Sequence, residues 1–219
     1  MTILYVYAHP NRDSLNFQIK QHGCEWITNA GHELIISDLY ADQFNAIANF
    51  NDFELPDNEL NPQYFTSQKI AFTHHALTKD IQVEIEKIKL ADHIIFQFPL
   101  WWFSVPAILK GWFDRVFVKG FAYDAGKILT DGLLKGKTTS LVVTTQSGEA
   151  AYQTIGLQGA TIDQFLHPIQ HTLRFVGMTT LEPFVEYEVF NVDGDRMAQI
   201  IKRYTDYLKD TITTKNART

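Results

Sequence analysis

Short apolar runs alternate with amphipathic helical segments along most of this 219-residue chain. The first run, Thr2–Ala8, is rich in β-branched and aromatic residues and lacks polar alternation, as in a strand buried on both faces. Further strands are predicted at 34–36, 93–98 and 138–145 and within 181–190; helices are predicted from Ser14, around Ile81–Ile88, and over 106–118, 165–176 and 197–208. This order predicts an α/β fold with a doubly wound five-stranded parallel sheet and helices on both faces.

Composition narrows the class of protein. With 45% hydrophobic residues, the chain can bury the core of one domain, predicted here as 1–219. The formal net charge is −6 and no lysine or arginine run occurs, so we expect no nucleic-acid partner. No apolar stretch approaches the roughly 18 residues that cross a bilayer, so we expect no membrane insertion. Cys24 is the only cysteine, which is typical of a reducing, cytoplasmic location.

Ligands in open α/β sheets bind beyond the carboxyl ends of the strands, and three strand ends of this chain are unusual. The first is followed by His-Pro-Asn-Arg-Asp-Ser-Leu-Asn (9–16) at a predicted helix start. Backbone N–H groups and the helix dipole favour a phosphate there, and His9 and Arg12 add donors. An ordinary polar loop with a capping Ser14 explains the same residues, and this segment alone does not decide between the two interpretations.

The second and third strand ends differ in chemistry. Pro99–Phe103 places three consecutive large aromatic residues in a loop, where either a flat ligand such as an isoalloxazine ring or a dimer interface would cover them. Thr144–Gly148, followed by Tyr152, offers hydroxyl and backbone donors that suit the N1, O2 and N5 edge of a flavin, or forms a generic turn. His167 and His171 lack the adjoining glutamate of a zinc protease, and no metal site is predicted.

The longest motif, residues 96–117, reads Phe-Gln-Phe-Pro-Leu-x-Trp-Phe-x-Val-Pro-Ala-Ile-Leu-Lys-Gly-Trp-Phe-Asp-Arg-Val-Phe. It resembles the signature of the NAD(P)H:quinone oxidoreductase (DT-diaphorase) family, and shorter matches at 37–41, 121–123, 168–170 and 181–183 extend the likeness over nearly the whole chain. The resemblance implies a flavodoxin-like fold, a homodimer, a bound FAD (or the smaller FMN), and NAD(P)H as co-substrate.

The family's functional residues are carried over by position. The cofactor contacts so implied are His9, Ser14, Leu15 and Asn16 at the pyrophosphate, Gln63 along the ribose and phosphate, Asp114 and Arg196 at the adenosine end, and Pro99, Leu100, Trp101, Trp102, Phe103, Thr144, Thr145, Gln146 and Ser147 at the isoalloxazine. Tyr152 is the implied catalytic donor at the flavin edge. Tyr123 and, from the second subunit, Phe175 are implied to line the acceptor pocket.

The chain departs from the family pattern at four places. Trp101 replaces a glutamine, Gln146-Ser147 replaces a Gly-Gly pair, and Ala125 replaces a pocket tyrosine. The histidine that partners the flavin-edge tyrosine has no counterpart in Leu157-Gln158-Gly159-Ala160. Tyr152 is therefore expected to act alone or with water.

The expected reaction is a ping-pong, two-electron hydride transfer from NAD(P)H through the flavin to a quinone-like acceptor, aided by stacking and proximity. Two alternatives stay open at this stage. One is a regulatory flavoprotein subunit of a membrane transporter, and the other is a flavodoxin-type electron carrier.

Overall fold

The computed structural model describes residues 1–190 and 192–213; residues 191 and 214–219 of the predicted domain lie outside the described residues. The strands are β1 (Thr2–Tyr7), β2 (Glu33–Asp38), β3 (His93–Pro99), β4 (Thr138–Thr144), β5 (Thr179–Thr180) and β6 (Phe184–Glu186). The α-helices are α1 (Leu15–Asn29), α2 (Tyr64–Thr73), α3 (Lys79–Leu90), α4 (Ala107–Val116), α5 (Ile162–Phe175) and α6 (Gly194–Thr213).

The strands form one parallel sheet in the order β2-β1-β3-β4, with β5 and β6 both pairing with β4. The predicted doubly wound α/β class and parallel sheet are thereby confirmed. The fifth position of the sheet is divided between two short strands. Pro183 lies between β5 and β6 and has no N–H to donate to a ladder, which interrupts the pairing with β4.

Successive side chains of a strand point to opposite faces, so the apolar β1 needs a helical layer on each side. Leu4 and Val6 pack on the face that α3, α4 and α5 cover, whereas Ile3 and Tyr5 face α1 and α6. The helices on both faces are therefore a direct consequence of the continuous apolar run seen in the sequence.

The segment 39–66 is less irregular than its sequence indicates. Two short 3-10 helices occupy Phe50–Asp52 and Asp57–Glu59, and α2 already begins at Tyr64. We did not predict α2 because its buried face consists of Ser67, Gln68 and Ala71 and offers no apolar stripe. Propensity and periodicity therefore carry little information here, and tertiary contacts determine the helix.

A buried ion pair anchors this segment to α4. The Arg115 guanidinium donates to Asp52 Oδ1 from Nε at 3.0 Å and from Nη2 at 2.9 Å, and both side chains are only 2% exposed. Nη1 of the same arginine donates to the carbonyl of Asn45 at 2.9 Å. Gly111 allows the close approach, because a Cβ there would lie 2.1 Å from the carbonyl oxygen of Ala46.

Helix ends follow local chemistry. Ser14 caps α1 as predicted, accepting a hydrogen bond from the N–H of Phe17. Helix α5 begins at Ile162, three residues before the predicted start, because Thr161 and Gln164 form a capping box.

Within residues 1–190 and 192–213, no helix combines the length and apolar character needed to cross a membrane.

Candidate functional site

Three strand ends converge at the carboxyl edge of the sheet. Pro99 is in register with Thr144, and the N–H of Leu100 donates to the Thr144 carbonyl at 2.8 Å. The N–H of Ala8 donates to the carbonyl of Gln97 at 3.0 Å, which fixes the end of β1 beside β3. The three loops with unusual sequences therefore adjoin one another, as expected for the ligand edge of an α/β sheet.

The loop after β1 presents donors at the start of α1. Ser14 caps the N–H of Phe17, while the N–H groups of Leu15 and Asn16 donate to no described residue. Unused N–H groups at a helix start, together with the helix dipole, suit an anion. The capping role of Ser14 and a phosphate site are thus compatible rather than alternative interpretations.

His9 is held against this helix start. Its Nδ1 accepts a hydrogen bond from the N–H of Asn11 at 3.1 Å and lies 3.1 Å from the Ser14 hydroxyl. Burial lowers the pKa of His9 below its ordinary value, although the Asn11 carbonyl nearby acts in the opposite direction. The neutral ring accepts at Nδ1 and carries its proton on Nε2, so Nε2 is the donor that remains for a ligand.

The loop after β3 is a tight, strained turn. Trp101 and Ser104 exchange two backbone hydrogen bonds of 3.0 Å, and the residues between them, Trp102 and Phe103, have φ values of 50° and 62°. Left-handed backbone is costly for bulky residues and is typical of functional loops. The Trp102 side chain is 93% exposed. The turn thus holds a large aromatic side chain in water at a cost in backbone energy.

The loop after β4 is held by its own hydrogen bonds. The Thr145 hydroxyl donates to the Ser147 carbonyl at 2.8 Å, and the Thr145 N–H donates to the carbonyl of Glu186 at 2.9 Å. The hydroxyl hydrogen of Thr145 is therefore already used within the protein. Gln146 is exposed and Ser147 is half-buried, so both can reach a ligand.

Tyr152 is buried at the same edge. Its ring lies 6.0 Å from that of Phe165 and 5.8 Å from that of Tyr187, measured between ring centroids. Phe165 also stacks on Phe103 at 5.0 Å and so joins the loops after β3 and β4. Neither Phe165 nor Tyr187 is among the residues predicted for this edge from the sequence. The available signal was an aromatic residue in the polar first turn of α5.

Asp114, Tyr123 and Phe175 form a second group, which lines a cleft together with Ser104. Tyr123 and Phe175 lie 5.9 Å apart between ring centroids and line a cleft of about 230 Å³ with Asp114. Asp114 borders a neighbouring cleft of about 340 Å³ that also includes Tyr64, the residue after Gln63. The two rings pack together within one chain, and the prediction that Phe175 of a second subunit lines the acceptor pocket stays a prediction.

Arg196 has internal partners in the described chain. Its Nη2 donates to the Tyr187 carbonyl at 2.6 Å and lies 3.4 Å from Glu186 Oε1. Asp114, the other residue predicted at the adenosine end, lies on α4, on the opposite face of the sheet from α6. The roles of both residues stay predictions, and any common ligand would have to bridge the two faces.

Comparison with known proteins gives the same assignment as the motif. Residues 1–210 match the family described as having a flavodoxin-like fold. The chain is 39% identical to NAD(P)H dehydrogenase (quinone) 1 of Rattus norvegicus over 208 residues, which cover 94% of this chain and 76% of the relative. It is 41% identical to ribosyldihydronicotinamide dehydrogenase (quinone) of Mus musculus over 187 residues, covering 84% and 80% of the two chains.

The chain belongs to the NAD(P)H:quinone oxidoreductase family. A solved structure from Klebsiella pneumoniae, described as that of a quinone reductase, superposes with a TM-score of 0.91 at 36% identity and covers 97% of this chain and 85% of the other. The flavodoxin-like fold and the family resemblance predicted from the sequence are both confirmed. In this family member, the strained Trp102 turn and the helix start after β1 lie at one sheet edge.

The environment of His9 predicts its titration. We expect its ring to titrate below about 6.5 in the flavin-free protein, because burial disfavours the imidazolium. As pH falls below about 6.5, the unfolded chain binds a proton before the folded chain does, so His9 lowers the stability of the fold. The measurement is an NMR titration of the His9 ring, with the urea-unfolded protein as control. A native pKa at or above the unfolded value would contradict the prediction.

Proposed function

We propose that this protein is a flavin-dependent NAD(P)H:quinone oxidoreductase and that its flavin is FAD. One observation carries the proposal: a helix start with unused N–H groups, a strained and exposed aromatic turn, and a hydroxyl-rich turn adjoin at one sheet edge. The quinone dehydrogenases that the chain resembles support the same activity. Bound FAD would accept two electrons from NAD(P)H and pass them to the acceptor.

The residues present fit such a cofactor. The N–H groups of Leu15 and Asn16, with His9 Nε2, would hold the pyrophosphate. The aromatic turn would cover one side of the isoalloxazine, and the edge of the sheet would hold its polar rim. Covering an exposed aromatic side chain with a flat ring removes apolar surface from water, which offsets part of the strain in the turn.

The chain's own part in the reaction is to stack, exclude water and donate hydrogen bonds. NAD(P)H and acceptor would occupy the same place in turn, which is the ping-pong order expected for this family. Tyr152 has no described hydrogen-bond partner for its hydroxyl, whereas the Thr145 hydroxyl is committed to Ser147. This contrast favours Tyr152 as the donor that stabilises the negative charge of the reduced flavin.

The activity is tested with the purified protein. We expect a yellow protein that releases FAD on denaturation and catalyses steady oxidation of NADH or NADPH with menadione as acceptor. Release of FMN alone would shrink the cofactor site to the strand ends. Reduction of the flavin without continued turnover would favour an electron carrier, and co-purification with a transporter would favour a regulatory subunit.

We also propose that the protein is a homodimer, located in the cytoplasm, with its sites at the interface. Trp102, Ile155 and Leu157 are 93%, 99% and 85% exposed, more apolar surface than one subunit is expected to leave in water. Tyr123 and Phe175 pack together within one chain, so the subunit that supplies one of these rings to the acceptor pocket would supply the other as well.

The dimer prediction is tested by sedimentation at micromolar concentration. We expect a dimer for the natural protein and weakened association for Trp102→Asp, because the charge would be buried at the interface. Leu90→Asp is the matched control, since Leu90 is an exposed apolar residue of α3 at 65%. A natural protein that is monomeric and still turns over menadione would refute the proposal.

Tyr152→Phe tests the donor assignment. A single preorganised donor is worth on the order of a hundredfold in rate, but Tyr152 lacks the family's histidine partner, so we expect roughly a tenfold slower reduction of the flavin. Thr145→Val is the comparison variant and should matter less, because its hydroxyl hydrogen goes to Ser147. Stopped-flow bleaching by NADPH measures both. An unchanged Tyr152→Phe rate with a slowed Thr145→Val rate would transfer the role to the threonine.

A further inference from the structure

A continuous chain of buried hydrogen bonds runs from strand to strand across the sheet and ends at the ligand edge. The hydroxyls of Tyr204 and Tyr5 are 2.7 Å apart, and Tyr5 donates to Gln97 Oε1 at 2.5 Å. Gln97 Nε2 donates to the Asn16 carbonyl at 2.6 Å and to Asn16 Oδ1 at 3.2 Å. Asn16 Nδ2 then donates to the Thr144 hydroxyl at 2.6 Å. The chain joins α6, β1, β3, the start of α1 and the end of β4.

Counting hydrogens fixes the direction of every bond in this chain. Tyr5 spends its only hydroxyl hydrogen on Gln97, so Tyr204 must donate to Tyr5. Burial raises the pKa of both tyrosines well above the ordinary value, which keeps both hydroxyls protonated. The amide of Gln97 is thereby held with its carbonyl toward Tyr5 and its NH₂ group toward Asn16.

At the far end of this hydrogen-bond chain, Asn16 and Thr144 each have one hydrogen that no described residue accepts. The Thr144 hydroxyl accepts from Asn16, so its own hydrogen remains available, and it has no acceptor among the described residues. The second hydrogen of Asn16 Nδ2 is likewise unassigned, because only the bond to Thr144 uses that group. Both side chains are nearly fully buried, at 3% and 2% exposure. Buried donors without acceptors are costly unless a ligand supplies the acceptor.

We propose that Gln97 is a positioning residue: it orients Asn16 and, through Asn16, Thr144, so that both donate to the bound flavin nucleotide. The inference rests on the proposed flavin function. Gln97 is fully buried and does not reach the ligand edge itself, so its effect passes through Asn16. Each bond in such a chain polarises the next, which strengthens the terminal donors.

Gln97→Met tests the proposal because methionine is similar in size and shape but supplies neither N–H donors nor a carbonyl acceptor. We expect about tenfold weaker binding of FAD to the deflavinated full-length variant, measured by quenching of flavin fluorescence; this loss corresponds to about 1.4 kcal/mol and lies within the range for oriented hydrogen bonds. If the reduced flavin loses tenfold more affinity than the oxidised flavin, the midpoint potential falls by about 30 mV.

Thr139→Val is the matched control. Thr139 also lies on β4 with a fully buried hydroxyl, but that hydroxyl has no hydrogen-bond partner among the described residues. Removing the Thr139 hydroxyl should change the FAD affinity by at most about twofold and the midpoint potential by at most about 10 mV relative to the natural protein. If Gln97→Met does not fold, Tyr5→Phe, which removes the hydrogen bond to Gln97 Oε1 together with the acceptor of the Tyr204 hydroxyl, must weaken FAD binding by about threefold.

The outcomes separate the two proposals. Failure of the natural protein to bind FAD or FMN would overturn the proposed function. Tight binding by the natural protein, with unchanged affinity and potential in Gln97→Met, would overturn the positioning role alone. A similar loss in Thr139→Val and Gln97→Met would also overturn it, because the effect would then reflect the general stability of the sheet.

Discussion

Burial of β1, β3 and β4 on both faces is the constraint from which the rest of the structure follows. Residues 3–7 of β1 and Ala8, which follows it, are each at most 1% exposed, so helices must cover each side of the sheet. Parallel strands then require crossover connections, and their carboxyl ends meet at one edge. The ligand edge is thus a geometric result of burying apolar strands, and only the loops beyond it carry the chemistry.

The buried hydrogen-bond chain through Gln97 places polar groups inside this otherwise apolar core. The fold tolerates them because each end of the Gln97 amide has a hydrogen-bond partner. A buried amide is costly in isolation, but here both of its polar ends have partners. The strained turn at Trp102 and Phe103 is a second local cost at the same edge. Two unfavourable features side by side in an otherwise well-packed domain are typical of a site shaped by its ligand.

The second group of predicted residues depends on a different interaction. The Arg115–Asp52 pair fastens the 39–63 segment onto α4, and Asp114 beside it borders both clefts near Tyr123. The residues that line these clefts do not include the donors at the helix start after β1. The donors at the helix start therefore belong to the edge of the sheet, whereas the clefts beside Tyr123 are formed by segments packed on one face of it.

The sequence by itself determined the alternation of strands and helices, the family and the three strand ends, because apolar periodicity and the motif at residues 96–117 are local properties of the chain. It did not reveal α2, whose buried face is polar, or the contact of Tyr123 with Phe175 within one chain. Nor could it orient Gln97, since the partners of its amide, Tyr5 and Asn16, lie far away in sequence. Only tertiary structure decides such pairings, because a buried hydrogen bond depends on where two distant segments meet.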